Sequence, residues 1–407
     1  METHQEKLIG IVRYQLFGGA KPQIDENELP AIIKEASQQT VYTMIFPFLR
    51  DAIIKYSPEK FAQKNEQFLG NVLQNTANFF EHDELHRLMT ENNIPYSAIK
   101  GLASAYYYPE ASLRDMGDVD FLVRETDFER AKLAVMSIGF EIDHGEEDTS
   151  KHIAFQRKPL SIWEQHRSIN GIPNNAAGKM IREEAERIID TSVTVTLDGA
   201  VCRIPDTFHH GLIMLLHIIS HMTSEGIGLR HLCDWAVFVE RLGNDEFTEL
   251  FEDKLKSFGL WRFAQIMTLV SQEYLGISEK KWAQNNSIDK KQLENVITDI
   301  LNGGNFGKKD MNRYREIKYI SNRGENTVDD KSIVSQGLST LNRKVYNDYG
   351  WIDRHRFFLP IGWVAEGGKY IGLLITGKRK NKGTSVMLRE AAKRKDIYSQ
   401  MQLFETE

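Results

Sequence analysis

The chain has 407 residues, of which 41% are hydrophobic and 27% charged, with a formal net charge of −6 at pH 7. That balance describes a globular protein of two or three domains, excludes a disordered chain and argues against a dedicated duplex-DNA binder. Two cysteines, Cys202 and Cys233, make neither a disulfide framework nor a zinc spacing, which fits a reducing cytoplasm.

The N-terminal stretch METHQEKLIGIVRYQLFGG has too short an apolar run for a secretory signal. The most apolar later stretch, Phe357 to Ile375, is broken by Pro360, Glu366 and Lys369, so no membrane span is expected. Residues 1–90 read as a helical region: LPAIIKEASQQTVYTMIFPFLRDAIIKY and FAQKNEQFLGNVLQNTANFFEHDELHRLMTENN both carry apolar positions at helical spacing. No catalytic constellation is visible there, and its expected role is packing and framing.

Residues 91–205 alternate. Strand IPYSAI is followed by helix LASAYYY and strand DVDFLV. A helix, TDFERAKLAVMSIG, comes next, expected to open on a Thr126 cap with Glu129 closing a capping box and to stop at Gly139. Strands FEIDHG, HIAFQRK and LSIWEQH follow, then a helical stretch, then VTVTLDGAVCRI, a hairpin turning at Asp198-Gly199. The predicted class is α+β, a mixed sheet flanked by N-terminal and C-terminal helical domains. From Asp206 or Thr207, either of which can cap, helices resume: FHHGLIMLLHIISHMTSEG, LRHLCDWAVFVERLG and a long run from Asp245 to Gly276 fill a domain over 206–300. The extension 301–407 contains a basic segment, residues 378–395, read as a solvated helix face or a dock for an anionic partner.

The chemistry concentrates between Lys100 and Val123. Asp118 and Asp120 open a strand-like run and, by the period of two, point to one face while Val119, Phe121 and Val123 point to the other. Carboxylates so placed repel each other, and Mg²⁺ (or Mn²⁺) suits their hard oxygens. Upstream, Lys100-Gly101 stands at a strand-to-helix turn where glycine lets the backbone approach a phosphate. A third carboxylate should come from a neighbouring strand, and Glu164, sharing a face with His166 in LSIWEQH, is the candidate. It would bind metal and take the acceptor hydroxyl's proton.

The KG turn, the tyrosine-rich helix ending in YYPE, LRDMGDVDFLV, the helix to a GFE strand, an acid two residues before a histidine, and LLHIISH…GLRHLCDW together resemble the uncharacterised nucleotidyltransferase family of the DNA polymerase β-type superfamily, over roughly residues 30 to 310. The resemblance implies a nucleotidyltransferase palm at 91–205, with Mg²⁺ on Asp118, Asp120 and Glu164 and an NTP, such as ATP, on the Gly101 turn. The expected activity is transfer of a nucleoside monophosphate to a hydroxyl of an unidentified acceptor, with release of pyrophosphate, in the cytoplasm. One departure stands out: the superfamily's usual Gly-Ser or Gly-Gly turn is here Gly101-Leu102, with Ser104 the nearest hydroxyl. That departure motivates a second reading from another class, a non-catalytic nucleotide-binding or antitoxin-like interaction module.

Several residues keep two readings at this level. Lys100 contacts phosphate or is a surface charge. Arg114 grips the triphosphate or pairs with Asp115 or Asp118. His166 meets metal or phosphate, or is simply hydrogen-bonded. His217, His221 and Arg230 line the cleft or form a buried network, with Arg230 expected to pair with Asp234 one helical turn on. His217 and His221 have a spacing that can chelate zinc but lack the glutamate of an HExxH motif.

Overall fold

The computed structural model describes residues 1–143, 152–157, 161–309, 360, 362–363 and 384–405, without side chains over 384–391 or at 161. The chain divides into two units, Met1–Arg313 with Ile397–Glu407, and Tyr314–Asp396. Everything that positions the site belongs to the first.

Four helices lead: α1 (Thr3–Phe17), α2 (Leu29–Gln38), α3 (Tyr42–Tyr56) and α4 (Pro58–Glu91). The stretch read as continuous from Leu29 to Tyr56 breaks between α2 and α3, where Thr40 takes a left-handed φ of 54°. The preceding Gln39 is put to use: its amide donates to the Leu301 carbonyl (3.0 Å) and to the Glu35 carboxylate (2.8 Å), and its Oε1 accepts from the Leu229 N–H (3.0 Å).

The sheet is mixed. It comprises β1 (Tyr96–Ala98), β2 (Val119–Val123), β3 (Glu141–Ile142), β4 (His152–Arg157) and β5 (Ser161–His166), in the order β1-β2-β5-β4-β3. Only β2 and β5 run parallel; the other pairs are antiparallel. The short α5 (Leu102–Ala105) and then α6 (Phe128–Ser137) are the connections around β2. The expected Thr126 capping box is not formed. Thr126 lies inside a 3-10 turn, Glu125–Asp127, and Asp127 stands at the helix start, because the chain tightens by one turn before α6 begins. Gly139 does end the helix, at φ 89°.

Helices α7 (Ala176–Ala185) and α8 (Ile188–Thr191) lead to the hairpin β6 (Val193–Leu197) and β7 (Ala200–Ile204). Asp198 and Gly199 both have positive φ (49° and 86°), the requirement of the tight turn expected there. Then come α9 (Thr207–Met222), α10 (Leu229–Glu240), α11 (Asn244–Ser257), α12 (Trp261–Val270) and α13 (Lys290–Gly303), with α14 (Thr384–Gln400) last. The run from Asp245 to Gly276 is thus not one helix: Gly259, at φ 65°, separates α11 from α12. Of the basic segment 378–395, residues 378–383 and the side chains through 391 lie outside the described residues.

Helices α1–α3 and α9–α13 share one apolar core, in which Phe46, Leu212, Trp235, Phe238 and Phe263 are buried. A second core lies under the sheet: Val119, Phe121 and Val123 pack with Trp163, Phe155 and the end of α4. The alternation expected for DVDFLV is therefore real, and it leaves the opposite face of β2 for polar work.

Asp206 caps α9. Its Oδ1 accepts the His209 backbone N–H (2.9 Å) and its Oδ2 lies 2.9 Å from His209 Nδ1. Partial burial would raise this carboxyl's pKa, but the hydrogen bonds from His209 outweigh it and lower it to about 2. A folded-state pKa below the unfolded one stabilises the fold above the unfolded value, and that gain is lost as pH falls toward 2. Asp206→Ala is therefore expected to cost ~1–2 kcal/mol at pH 7. The gap between the urea midpoints of variant and wild type should narrow as pH drops from 4 to 2.

Candidate active site

Strand register places the acids. Asp120 sits directly opposite Glu164 in the parallel β2/β5 pair. Both side chains leave the sheet on the face away from the Phe121–Trp163 core, so two carboxylates face one another across adjacent strands. Between them lies His166: its Nε2 is 2.8 Å from Asp120 Oδ1 and 3.3 Å from Glu164 Oε2. Two carboxylate oxygens can only accept, so this ring nitrogen carries the proton and donates to both. Burial alone would hold the ring neutral, yet the hydrogen bonds to Asp120 and Glu164 outweigh it and raise its pKa.

Lys100 completes the knot. Its Nζ donates to Asp120 Oδ1 at 2.5 Å. Asp120 is buried, which works against ionisation, but Lys100 and His166 more than compensate and hold the carboxyl far below its ordinary range. Its negative charge is thus fixed in a water-poor place by an ammonium and an imidazole N–H on a single oxygen.

The described residues contain one group of three side chains with ligand atoms all within 4.8 Å of one another: Asp120, Glu164 and His166. Two facing carboxylates fit a divalent cation, and His166, its Nε2–H donated to both, positions them rather than ligating it. Asp118, expected beside Asp120 as one of the first two carboxylates, lines the same cavity but falls outside this group, since it precedes β2 and is not held by the strand register.

The acids open into a cavity of about 360 Å³. Lys100, Gly101, Ser104, Arg114, Asp118, His217, His221 and Arg230 line it too, so the structure gathers every expected site residue around one space except His166, which is buried beneath Asp120. Gly101 has φ 41°, a conformation that excludes most side chains, and a Cβ there would stand 3.6 Å from the Asp118 carbonyl oxygen. The helix it starts, α5, has only four residues.

Two expected pairings are corrected. Arg230 makes no ion pair with Asp234, and Arg114 makes none with the Asp115 or Asp118 carboxylate among the described residues, reaching only the Asp115 backbone carbonyl at 3.5 Å. Instead Arg114 forks onto Asp234, Nε to Oδ1 at 2.7 Å and Nη2 to Oδ2 at 2.8 Å, with the Tyr108 hydroxyl donating to Oδ1 at 2.7 Å. The two chain segments are 120 residues apart, and a fork-to-fork geometry defeats a pair spaced one turn along a helix. Among the described residues Arg230 makes a single hydrogen bond, Nη1 to the Asp115 carbonyl (3.1 Å).

The histidines of α9 and α10 form a wall facing the acids. His217, His221 and His231 have ring centroids 4.5–5.8 Å apart, and Phe306 stacks edge-on against His221 at 4.8 Å. Burial pushes all three histidines down, His221 to about 4, so they are neutral at pH 7. They do not bring three ligand atoms together, which leaves the zinc reading of His217 and His221 without support among the described residues.

Helix α4, in the region expected to pack and frame, holds the site's lead-in loop by direct hydrogen bonds. Asn75 grips both sides of the lead-in loop, donating to the Ser112 carbonyl (2.7 Å) and accepting from the Met116 N–H (2.9 Å). Asn78 donates to the Gly117 carbonyl at 2.9 Å. His82, one turn further, comes within 4.0 Å of where a Gly101 Cβ would be. Asn75, Asn78 and His82 stand at i, i+3 and i+7: three polar residues on one otherwise buried helix face, a pattern visible in the sequence. His231, Asn170 and Phe306 carried no such signal, though all three line the cavity.

No helix among the described residues is long and apolar enough to cross a membrane. Among curated proteins no match to the chain was found. A family model described as "Uncharacterised nucleotidyltransferase" matches residues 25–276, a span that contains the sheet, α4, the Asp120–Glu164–His166 group and the histidines of α9 and α10. The chain belongs to this nucleotidyltransferase family.

Proposed function

We propose that the protein is a Mg²⁺-dependent nucleotidyltransferase that moves a nucleoside monophosphate from an NTP to a hydroxyl of an acceptor, with release of pyrophosphate. On this reading residues 91–205 are the transferase palm, framed by the helices of 1–90 and 206–300. The observation that carries it is the register of Asp120 against Glu164, with both carboxylates on the cavity face.

Asp120, Glu164 and the adjacent Asp118 would hold the cation, with His166 fixing the two strand-borne carboxylates relative to each other. A bound divalent ion supplies charge neutralisation of the triphosphate and alignment of the attacking oxygen. Glu164, less buried than Asp120, accepts the proton of the acceptor hydroxyl as it attacks the α-phosphorus. The bond to the β-phosphate oxygen breaks, and pyrophosphate leaves with the electron pair. Lys100, seated on Asp120, would add positive charge beside the α-phosphate at Gly101 and Ser104.

The test is metal removal. Purified protein incubated with each labelled NTP and a metabolite extract should release pyrophosphate with Mg²⁺ or Mn²⁺. Release should fall to background in excess EDTA and return on adding metal back. Pyrophosphate release unaffected by EDTA would sink the metal-dependent reading.

A second reading has one observation in its favour. A lysine ammonium seated on Asp120 is also how a site that has dispensed with its cation would neutralise the acid. A non-catalytic nucleotide-binding or antitoxin-like module would bind NTP by calorimetry yet show no turnover with any acceptor fraction.

A further inference from the structure

The positive charge needed by a polyphosphate is not where the Gly101 turn predicts it. Helix α5 is too short to offer a useful dipole, and the Lys100 ammonium is bound to Asp120. The opposite wall holds a guanidinium with no carboxylate in contact. Arg230 donates once, to the Asp115 carbonyl, and its buried Nε–H has no partner among the described residues. Asp234 and Asp115 attract it at longer range, but Asp234 is gripped by Arg114 and Tyr108, and neither carboxylate makes an ion pair with Arg230 among the described residues.

Beside it His231 is 2% exposed, with both ring nitrogens unpartnered, and lines the same cavity. Phe306 lies over the pair, its ring 5.7 Å from the Arg230 guanidinium. The first-turn amides of α10 cannot serve an anion, because the Leu229 and Arg230 N–H groups already donate to Gln39. The side chains must do the binding. A half-buried guanidinium with no carboxylate in contact and an inaccessible, unpartnered Nε–H, next to unsatisfied imidazole nitrogens, is costly in the free protein, and an anion offsets that cost.

We infer that Arg230, with His231 beside it, is the seat of the NTP's polyphosphate tail, on the α10 wall across the cavity from the Asp120–Glu164 acids. The assignment rests on the nucleotidyltransferase reading. It places the leaving pyrophosphate against a helix of the C-terminal region rather than against the Gly101 turn. The shared chemistry is a phosphate oxyanion, which an acceptor's phosphate would also offer.

Sodium tripolyphosphate titrated calorimetrically into the full chain in EDTA tests this without turnover. Wild type should bind it, and ATP should displace it. Arg230→Met should weaken binding about 10- to 100-fold, the value of a charged hydrogen-bonded contact, and Arg230→Lys should recover part of the loss. Free Arg230→Met should also melt no earlier than wild type, since an unpaired charge has been removed. Wild-type affinity in Arg230→Met overturns the seat and leaves nucleotidyl transfer standing. Tripolyphosphate binding that needs Arg230 but resists displacement by ATP overturns the nucleotide reading, and the assignment to the NTP with it. A large drop in melting temperature with unchanged affinity makes Arg230 a structural counter-charge and overturns the inference.

Discussion

Asp120→Asn is expected to cut nucleotidyl transfer by roughly 10³-fold or more, because loss of a metal-binding carboxylate removes several kcal/mol of charge stabilisation and each 1.36 kcal/mol is tenfold in rate. Glu164→Gln should lose about 10²–10⁴-fold, the range for a general base. The two differ in what else they disturb. Asp120 is the shared acceptor of Lys100 and His166, so Asp120→Asn also leaves a half-buried ammonium without its carboxylate and should shift the melting temperature. Glu164 pairs only with His166 among the described residues, at 3.3 Å, so Glu164→Gln should leave the fold's stability nearly unchanged. Manganese binding followed by electron paramagnetic resonance gives a readout that needs no acceptor: wild type should bind with NTP present, and both variants should bind more weakly. Wild-type transfer and wild-type manganese affinity in both variants would falsify the site.

The acids were legible because strand chemistry is local. A period of two sorts DVDFLV into a core face and a polar face, and the same rule applied to LSIWEQH selects Glu164 and His166. Strand register then had one choice that puts both acids over the same space, and β2 against β5 realises it. The expected α+β class and mixed sheet rest on the same signals, together with helical spacing before and after. Contacts between distant segments were not legible. Nothing near Arg114 announces Asp234, 120 residues on, and a helix-periodic Arg230–Asp234 pair was the reasonable local expectation. Phe306 adopts φ 51° between Gly304 and Gly307, a conformation that no pattern in LNGGNFGKK assigns to an aromatic over a cavity. The missed α4 residues are of another kind. Asn75, Asn78 and His82 were readable as a polar line on a buried face, and recognising it needed only the question of what those amides would bond.

The largest expected loss of stability belongs to Asp234→Ala, at about 3–5 kcal/mol, the cost of breaking a buried ion pair by removing one partner. Arg114 and Asp234 are 5% and 8% exposed, and the Tyr108 hydroxyl occupies the same carboxylate. Burial raises the cost of both charges, and each partner offsets it for the other: the Asp234 pKa is lowered and the Arg114 pKa raised. Truncating Asp234 leaves a guanidinium forked toward nothing, so the penalty exceeds the net worth of the pair. Replacing both residues tests this directly. Arg114→Met with Asp234→Leu should recover much of the single-mutant loss, because a packed apolar pair has no charge to desolvate. The pH dependence follows from the lowered Asp234 pKa: the carboxylate's contribution is complete above the unfolded value near 3.9 and is lost as pH falls through the lower folded value. Urea midpoints should therefore separate wild type from Asp234→Ala widely at pH 7 and less at pH 3. The pair also joins the LRDMGD lead-in to α10, the helix carrying Arg230 and His231. A variant that keeps its fold at low temperature should still show a raised KM for NTP, because the acids and the α10 wall are no longer tied. A double variant as unstable as Asp234→Ala alone would show instead that shape, not charge, sets the loss.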